Sequence, residues 1–256
     1  MRRENNIPED CVIPAGTVIE HGVSIGRRIV MAGDGIVIRA YARLDAACII
    51  GEGVTIGQRA WVRTGSVVLR SVPPNAIVEG NPAQVVGYIS GQEDLRPSDT
   101  RHISIHNVRD LDRPARVPLG VGSCALFLMR QITDARGALT VGEVPTEVPF
   151  SPARYFVVFN VPSIELRGEH AHKRCQQFLI CVHGSCRVLL DDGRTRCEVT
   201  LDRPDMGVFM PEMIWGTQYL YSTDAVLLVF ASRPYEGDDY LRTYEDFIST
   251  LRSKET

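Results

Sequence analysis

The sequence predicts a mainly β protein with two unlike domains, a parallel β-helix followed by an all-β barrel or sandwich that a single helix closes. Aliphatic residues recur at every sixth position in the first part of the chain. Further on, the pattern changes to short apolar runs separated by turns, and near the C-terminus apolar residues fall at helical spacing instead.

Composition limits the classes of function. With 256 residues and 44% hydrophobic content, the chain can form two domains of ordinary size, each with its own core. The net charge is −3 and no basic run occurs, which argues against nucleic acid and anionic membrane as partners. No apolar segment approaches the roughly 20 residues that span a bilayer. Seven cysteines without a C-x-x-C pair favour reduced thiols. We therefore expect a soluble, cytoplasmic protein.

The six-residue repeat defines the first domain. A period of six fits neither an α-helix nor a half-buried strand, and it indicates a β-helix in which each hexad forms one short strand and a corner. The repeated positions are Ile7, Ile13, Ile19, Ile25, Met31 and Val37 and, after a slip of one residue, Leu44, Ile50, Ile56, Val62 and Val68.

This repeat resembles that of the hexapeptide-repeat acyltransferases, which are left-handed β-helices of triangular section, and the resemblance covers residues 5–89. It implies a trimer with acetyl-CoA bound between neighbouring prisms. His21 is the only histidine of the repeat, and two interpretations stay open: a base for acyl transfer to a sugar, or a corner side chain in water. Because the helix is short and no long loop interrupts it, we expect assembly to be its main role.

Residues 90–104 are polar and aperiodic and contain Gly and Pro, so they are predicted to be a linker. Beyond them, eight apolar runs predict strands, with Asp191-Asp192-Gly193 as a hairpin turn. The runs are 125–129, 139–144, 155–159, 178–182, 186–190, 198–201, 207–210 and 225–231. One amphipathic helix is predicted from Leu241, Tyr244, Phe247, Ile248 and Leu251.

The strongest candidate site lies in residues 167–184. His170 and His172 are two residues apart, so both imidazoles leave the same face of an extended strand. The segment resembles the first motif of the cupin barrels, with Gln177 where the family usually has Glu. Residues 207–215 resemble the second motif, with Trp215 where the family usually has His. An amide is a poor ligand for a transition metal and an indole is none. We therefore predict a metal-free site in which the two histidines act as acid and base.

Residues 126–250 resemble a more specific group, the cupin-type dTDP-4-keto-6-deoxyglucose 3,4-ketoisomerases of the WxcM-like family, some of which are fused to a hexapeptide acyltransferase. The matching segments include D-A-R-G-A-L at 134–139, R-G-E-H-A-H at 167–172, and residues 184–193, 211–215, 226–232 and 235–242. The resemblance implies a left-handed parallel β-helix at 1–89, a linker at 90–104, and a cupin (double-stranded β-helix) barrel with a C-terminal helix at 105–256.

The resemblance also implies an activity: moving the carbonyl of a dTDP-linked keto sugar from C4 to C3 without a cofactor. His172 would transfer the proton, and His170 would support it by hydrogen bonding to a developing oxyanion. Family members tend to have adjacent tyrosines on the preceding strand, where this chain has Phe156 and Val157, and Tyr155 should face the opposite side from Phe156. The implied substrate-binding residues are Arg154, Arg167, Gln177, Trp215 and Gln218.

Two alternatives stay open. The first is a bifunctional ketoisomerase and sugar N-acetyltransferase that uses acetyl-CoA at the β-helix. The second is a non-catalytic sugar-nucleotide binder whose β-helix serves only for assembly. A chain that carries both a prism and a barrel is expected to form a homotrimer or homohexamer.

Overall fold

The computed structural model describes residues 7–89, 101–103, 105–108, 110–162 and 165–254. They form two compact units, an N-terminal one and one that begins at Arg101. No helix of the described part is long and apolar enough to cross a membrane.

The first unit is a β-helix made of very short strands. They are β1 (Val18–Ile19), β2 (Ser24–Ile25), β3 (Val30–Ala32), β4 (Val37–Ile38), β5 (Arg43–Leu44), β6 (Ile49–Gly51), β7 (Thr55–Ile56), β8 (Trp61–Val62), β9 (Val67–Val68), β10 (Ala76–Gly80) and β11 (Ala83–Tyr88). Parallel pairing builds three sheets, β1-β4-β7, β3-β6-β9 and β2-β5-β8-β10, and β11 adds to β10 in antiparallel fashion. Each coil therefore contributes one strand to each sheet.

From Ile25 onward the aliphatic residues of the repeat fill the interior of this helix, whereas Ile7, the first predicted position, is 44% exposed. One predicted position, Val37, is wrong by one residue: Ile38 is fully buried and pairs with Ile56, whereas Val37 is only half-buried. The extra residue of the slip lies at the corner before β4, where Gly33 and Gly35 have φ of 112° and 70°. The inward column is Ile25, Met31, Ile38, Leu44, Ile50, Ile56, Val62 and Val68.

The second unit is a barrel of two six-stranded sheets, with a separate two-stranded sheet. Its strands are β12 (Arg101–Ile103), β13 (Ala115–Pro118), β14 (Ala125–Leu128), β15 (Arg130–Asp134), β16 (Gly137–Val141), β17 (Arg154–Phe159), β18 (Arg167–His172), β19 (Gln177–His183), β20 (Cys186–Asp191), β21 (Arg196–Leu201), β22 (Met206–Met210), β23 (Trp215–Tyr219), β24 (Val226–Ala231) and β25 (Tyr240–Leu241). Its helices are α1 (Ile105–Val108) and α2 (Tyr244–Lys254), with a 3-10 turn at Gly237–Asp239.

The first sheet of the barrel has the order β12-β21-β20-β23-β18-β25, and the second has the order β13-β14-β22-β19-β24-β17. The separate two-stranded sheet is formed by β15 and β16. One face of each sheet lines a shared apolar core, to which Val188, Val199, Leu179 and Val208 belong. With the β-solenoid of about three turns and the single C-terminal helix, this arrangement confirms the predicted fold class.

Two details differ from the expected elements. Arg101–Ile103 falls within the predicted linker, yet it forms a strand parallel to β21. Most of that linker lies outside the described residues, so the domain boundaries remain a prediction. Leu241, assigned to the helix, instead pairs with Ala171 as part of β25. The helix begins only at Tyr244, whose hydroxyl donates to buried Asp191 at 2.8 Å.

The cysteines agree with the expectation of reduced thiols. All seven are free, and every one except Cys11 is buried.

Candidate active site

The site is built on β18, which contains a bulge. Its register with β23 shifts between Gly168 and His170, and Gly168 has a φ of 79°. A Cβ at this position would lie 2.6 Å from the carbonyl oxygen of Gly216, so only glycine fits. Arg167 pairs with Gln218, and His170 pairs with Gly216. Because of the bulge, Arg167 and His170 lie on the same face of β18. His172 follows on that face.

The two imidazoles meet inside the barrel. Their Nε2 atoms are 3.2 Å apart, and their rings are nearly perpendicular. His172 is only 2% exposed, and its Nδ1 lies 2.8 Å from Oδ2 of Asp239. His170 is partly exposed, and its Nδ1 lies 2.8 Å from the carbonyl oxygen of Gly168. A hydrogen bond at each Nδ1 therefore fixes the orientation of both predicted histidines.

These partners fix the protonation of each ring. A carbonyl oxygen and a carboxylate can only accept, so both Nδ1 atoms carry the proton and both Nε2 atoms present a lone pair when the rings are neutral. Burial lowers the pKa of His170 to about 4, against the opposing effect of the Gly168 carbonyl. Burial also lowers the pKa of His172, although Asp239 raises it in part. Both rings are thus neutral at pH 7.

Asp239 is the partner that the sequence interpretation missed. Burial opposes its ionisation, but hydrogen bonds from His172, from the backbone N–H of Cys175 and from Arg174 outweigh that effect and hold its pKa below the usual range. The carboxylate is buried and lies in the 3-10 turn that precedes β25. The sequence did mark this stretch as resembling the family, but no spacing rule linked a residue 67 positions away to His172.

Gln177 and Tyr240 complete the wall around the imidazoles. The Gln177 amide donates from Nε2 to Nε2 of His172 at 3.1 Å, so this predicted residue does reach the pair. The Tyr240 ring lies 4.3 Å from that of His172 and 4.9 Å from that of His170, measured between centroids. Tyr240 was not predicted either, and it supplies an aromatic hydroxyl to a site whose preceding strand lacks the family's tyrosines.

Two arginines bring positive charge to the site. Nη2 of Arg154, a predicted residue, donates to the Tyr240 hydroxyl at 3.3 Å. The guanidinium carbon of Arg242 lies 4.5 Å from the centroid of the same ring. Both charges contribute to lowering the pKa of His172. An anionic ligand or intermediate would therefore be stabilised beside the imidazoles.

The side chains of β17, the strand that precedes β18, point in the directions expected from the sequence. Phe156 packs against the barrel core, whereas Tyr155 is 69% exposed on the opposite side of β17.

Trp215 was predicted to bind substrate, but the structure does not place it beside the imidazoles. It pairs with Ala171, which points away from the imidazoles, so its side chain leaves the outer face of the sheet. There it packs against Tyr244 and Phe247 of α2 and is only 4% exposed. The next residue, Gly216, takes the inner position instead. The similarity to the second cupin motif matched the sequence position but not the direction of the side chain.

A second group of potential metal ligands lies behind His172. One atom each from His172, Cys175 and Asp239 lies within 4.8 Å of the others. Two of these atoms already share the 2.8 Å hydrogen bond, a separation shorter than two ligands of one metal ion normally keep. The metal-free site stays a prediction.

His21, the candidate acyltransfer base, lies in the other unit. It is exposed at a corner and meets the edge of Tyr41, with ring centroids 5.0 Å apart. Tyr41 also lines a cavity of about 320 Å³ together with Arg43, Arg59, Trp61 and Ile89.

The two units resemble different known proteins. The family model described as FdtA: WxcM-like, C-terminal, matches residues 122–252. The TDP-4-oxo-6-deoxy-α-D-glucose-3,4-oxoisomerase of Aneurinibacillus thermoaerophilus is 42% identical over 118 residues, which is 46% of this chain and 85% of that protein. The solved structure of a substituted 3,4-ketoisomerase from Thermoanaerobacterium thermosaccharolyticum, in complex with TDP-4-keto-6-deoxyglucose, is 29% identical with a TM-score of 0.51 and covers 52% of this chain and 97% of its own.

The N-terminal unit resembles acetyltransferases. The dTDP-3-amino-3,6-dideoxy-α-D-galactopyranose 3-N-acetyltransferase of Aneurinibacillus thermoaerophilus is 41% identical over 66 residues, 26% of this chain and 30% of that protein. The chain thus spans less than a third of this relative.

Because the family model covers slightly more than half of the sequence and the oxoisomerase is matched over most of its length, the chain belongs to the WxcM-like, C-terminal family.

Proposed function

We propose that this protein is a sugar-nucleotide 3,4-ketoisomerase of deoxysugar biosynthesis, acting on a TDP-linked 4-keto-6-deoxyhexose without a cofactor. The observation that carries the proposal is the pair of neutral imidazoles inside the barrel, with Nε2 atoms 3.2 Å apart and His172 bonded to Asp239 at 2.8 Å. The relatives that are named as acting on such sugars support the substrate class.

The reaction needs a base that can take a proton from C3 and return it to C4. His172 meets this requirement because its Nδ1–H is held by Asp239 and its Nε2 has a lone pair, which accepts a hydrogen bond from the Gln177 amide in this structure. As the imidazole gains the proton, the adjacent carboxylate stabilises the new positive charge. Arg154 and Arg242 counter the negative charge of the enediolate and of the diphosphate. Arg167 and Gln218, which neighbour His170 through the bulged register, are the proposed contacts to the rest of the ligand.

The test is proton exchange. The protein is incubated with TDP-4-keto-6-deoxyglucose in deuterated buffer, and C3 and C4 are followed by NMR. Wild type is expected to incorporate deuterium and form the 3-keto sugar, and His172→Asn is expected to lose both while still binding TDP. A wild-type protein that binds TDP without exchange is a sugar-nucleotide binder, which would overturn the proposal.

A second activity, N-acetyl transfer to an amino sugar, is favoured by one feature of the β-helix. His21 contacts Tyr41 at the rim of the cavity lined by Arg43 and Trp61, and the same unit resembles an N-acetyltransferase. Acetyl-CoA is titrated into the full chain and into His21→Ala, and acetylation of a TDP-linked amino sugar is followed. If wild type neither binds acetyl-CoA nor acetylates, the β-helix serves assembly alone.

A further inference from the structure

The reaction of the proposed function places negative charge on a sugar oxygen, and that oxygen needs a hydrogen-bond donor. When the proton leaves C3, the C3–H electrons form the C3=C4 bond and the carbonyl electrons move to O4. A developing oxyanion is stabilised chiefly by donors that are already in position before the reaction. If the proposed function holds, one side chain of the site must therefore donate to O4.

Neither imidazole offers this donor while it is neutral. Nδ1 of His170 lies 2.8 Å from the carbonyl oxygen of Gly168. Nδ1 of His172 lies 2.8 Å from the Asp239 carboxylate. Both partners can only accept, so each neutral ring keeps its proton on Nδ1 and presents a lone pair at Nε2. The Gln177 amide is directed at His172, to which its Nε2 donates at 3.1 Å. O4 therefore needs a donor from a different side chain.

Tyr240 lies where such a donor is needed. It pairs with His172 across β25 and β18, so its side chain leaves the sheet on the same face as the imidazoles. Its ring centroid is 4.3 Å from that of His172 and 4.9 Å from that of His170. A sugar that reaches the Nε2 atoms of the histidines therefore lies beside the phenol ring as well.

The contact with Arg154 leaves the hydroxyl proton of Tyr240 available. A guanidinium can only donate, so the 3.3 Å contact from Nη2 of Arg154 uses a lone pair of the Tyr240 oxygen. In the described part of the chain, this hydroxyl has no acceptor of its own. The guanidinium carbon of Arg242 lies 4.5 Å from the ring centroid, which brings a second positive charge against the same phenol. Both charges favour donation by the hydroxyl to an anion, because they stabilise negative charge that shifts onto the phenol oxygen.

We propose that the hydroxyl of Tyr240 donates the hydrogen bond that stabilises O4 as the enediolate forms. The phenol on β25 thus supplies the catalytic hydroxyl that β17 lacks. Phe156 packs against the core and has no hydroxyl, and Tyr155 is 69% exposed on the opposite side of β17. Arg154 connects the two strands, since it belongs to β17 and contacts the hydroxyl on β25.

The experiment compares Tyr240→Phe with Tyr155→Phe in the full chain, with TDP-4-keto-6-deoxyglucose as the substrate. Tyr240→Phe removes one oxygen and keeps the ring against the imidazoles. Loss of one oxyanion donor lowers kcat by about a hundredfold to a thousandfold, so deuterium uptake at C3 and formation of the 3-keto product should both fall by that factor. KM and the affinity for TDP should stay near wild type, because the lost interaction forms only in the transition state. Tyr155→Phe, the matched control, should keep the wild-type rate.

A kcat close to that of wild type in Tyr240→Phe would overturn the inference. A weaker affinity for TDP with little change in kcat would also overturn it, since Tyr240 would then serve only to hold Arg154. A loss in Tyr155→Phe as large as that in Tyr240→Phe would contradict the assignment to β25. A wild type that binds TDP without exchange would refute the proposed function itself, whereas an active wild type with an unaffected Tyr240→Phe would refute the role of Tyr240 alone.

Discussion

Replacing Asp239 by Asn removes the charge that faces the imidazole of His172, the proposed base, while nearly preserving side-chain size. In the wild type the carboxylate lies 2.8 Å from Nδ1 of His172, buried beneath the site. A hydrogen bond to a charged group contributes about 1.5–3 kcal/mol. This bond strengthens as His172 becomes an imidazolium, so the loss acts on the transition state. Each 1.36 kcal/mol is a factor of ten in rate, which predicts a fall in kcat of about tenfold to a hundredfold.

The pH profile separates this role from a structural one. A base works only when neutral, so the rate falls as the pH drops through the folded pKa of His172, which burial places below its ordinary value. Asp239 raises that pKa, so Asp239→Asn should lower it further and move the acid limb of kcat to lower pH. A substitution that merely loosened the turn would expose the ring and move the limb upward.

The assay is kcat as a function of pH for Asp239→Asn, with TDP binding measured alongside. The matched control is Asp238→Asn, which changes an exposed carboxylate in the same 3-10 turn and should leave the profile unchanged. An acid limb that stays in place or moves upward, or a kcat equal to wild type, would refute the argument.

Three other predictions test separate parts of the structure. Gln177→Glu should create a divalent metal site at the two imidazoles, because two histidines and one carboxylate form a common set of metal ligands. The variant should retain metal after dialysis and lose isomerase activity. A metal content equal to that of wild type would contradict this. Trp215→Ala should lower the free energy of unfolding by about 3–5 kcal/mol. Trp215→Phe should leave the affinity for the sugar nucleotide unchanged, and a weaker affinity in this variant would show that Trp215 does contribute to substrate binding. Wild type should sediment as a trimer or hexamer, and Ile49→Glu, on the exposed column that includes Val30, should give smaller species; a monomeric wild type would rule out the expected assembly.

Sequence periodicity predicted the fold because each domain repeats a local rule. The hexads predict the β-helix, because each strand needs one buried aliphatic residue. The extra residue at the corner before β4 moves the inward position from Val37 to Ile38. The histidine pair followed equally well from alternation along one strand. Asp239 could not be found this way, because its approach to His172 depends on β25 pairing with β18 across the sheet.

Trp215 lies away from the imidazoles for a related reason. The spacing from Pro211 matches the family motif, but the direction of the side chain depends on the register of β23 with β18, in which Trp215 lies opposite Ala171. A shift of one residue along a strand reverses the face. Gln177 does reach His172, because its position in β19, paired with Met210 of β22, directs the side chain inward. Motif spacing thus locates a strand, and cross-strand register decides which side chains reach the site.

The charges around the imidazoles suit the enediolate of the proposed reaction. Asp239 contributes one negative charge, and Arg154 and Arg242 contribute two positive charges that act on His172. A glutamate at 177 would cancel the remaining positive charge, and its carboxylate beside two imidazole lone pairs would form a set of metal ligands. The neutral Gln177 amide keeps the balance positive where negative charge develops on the sugar oxygens.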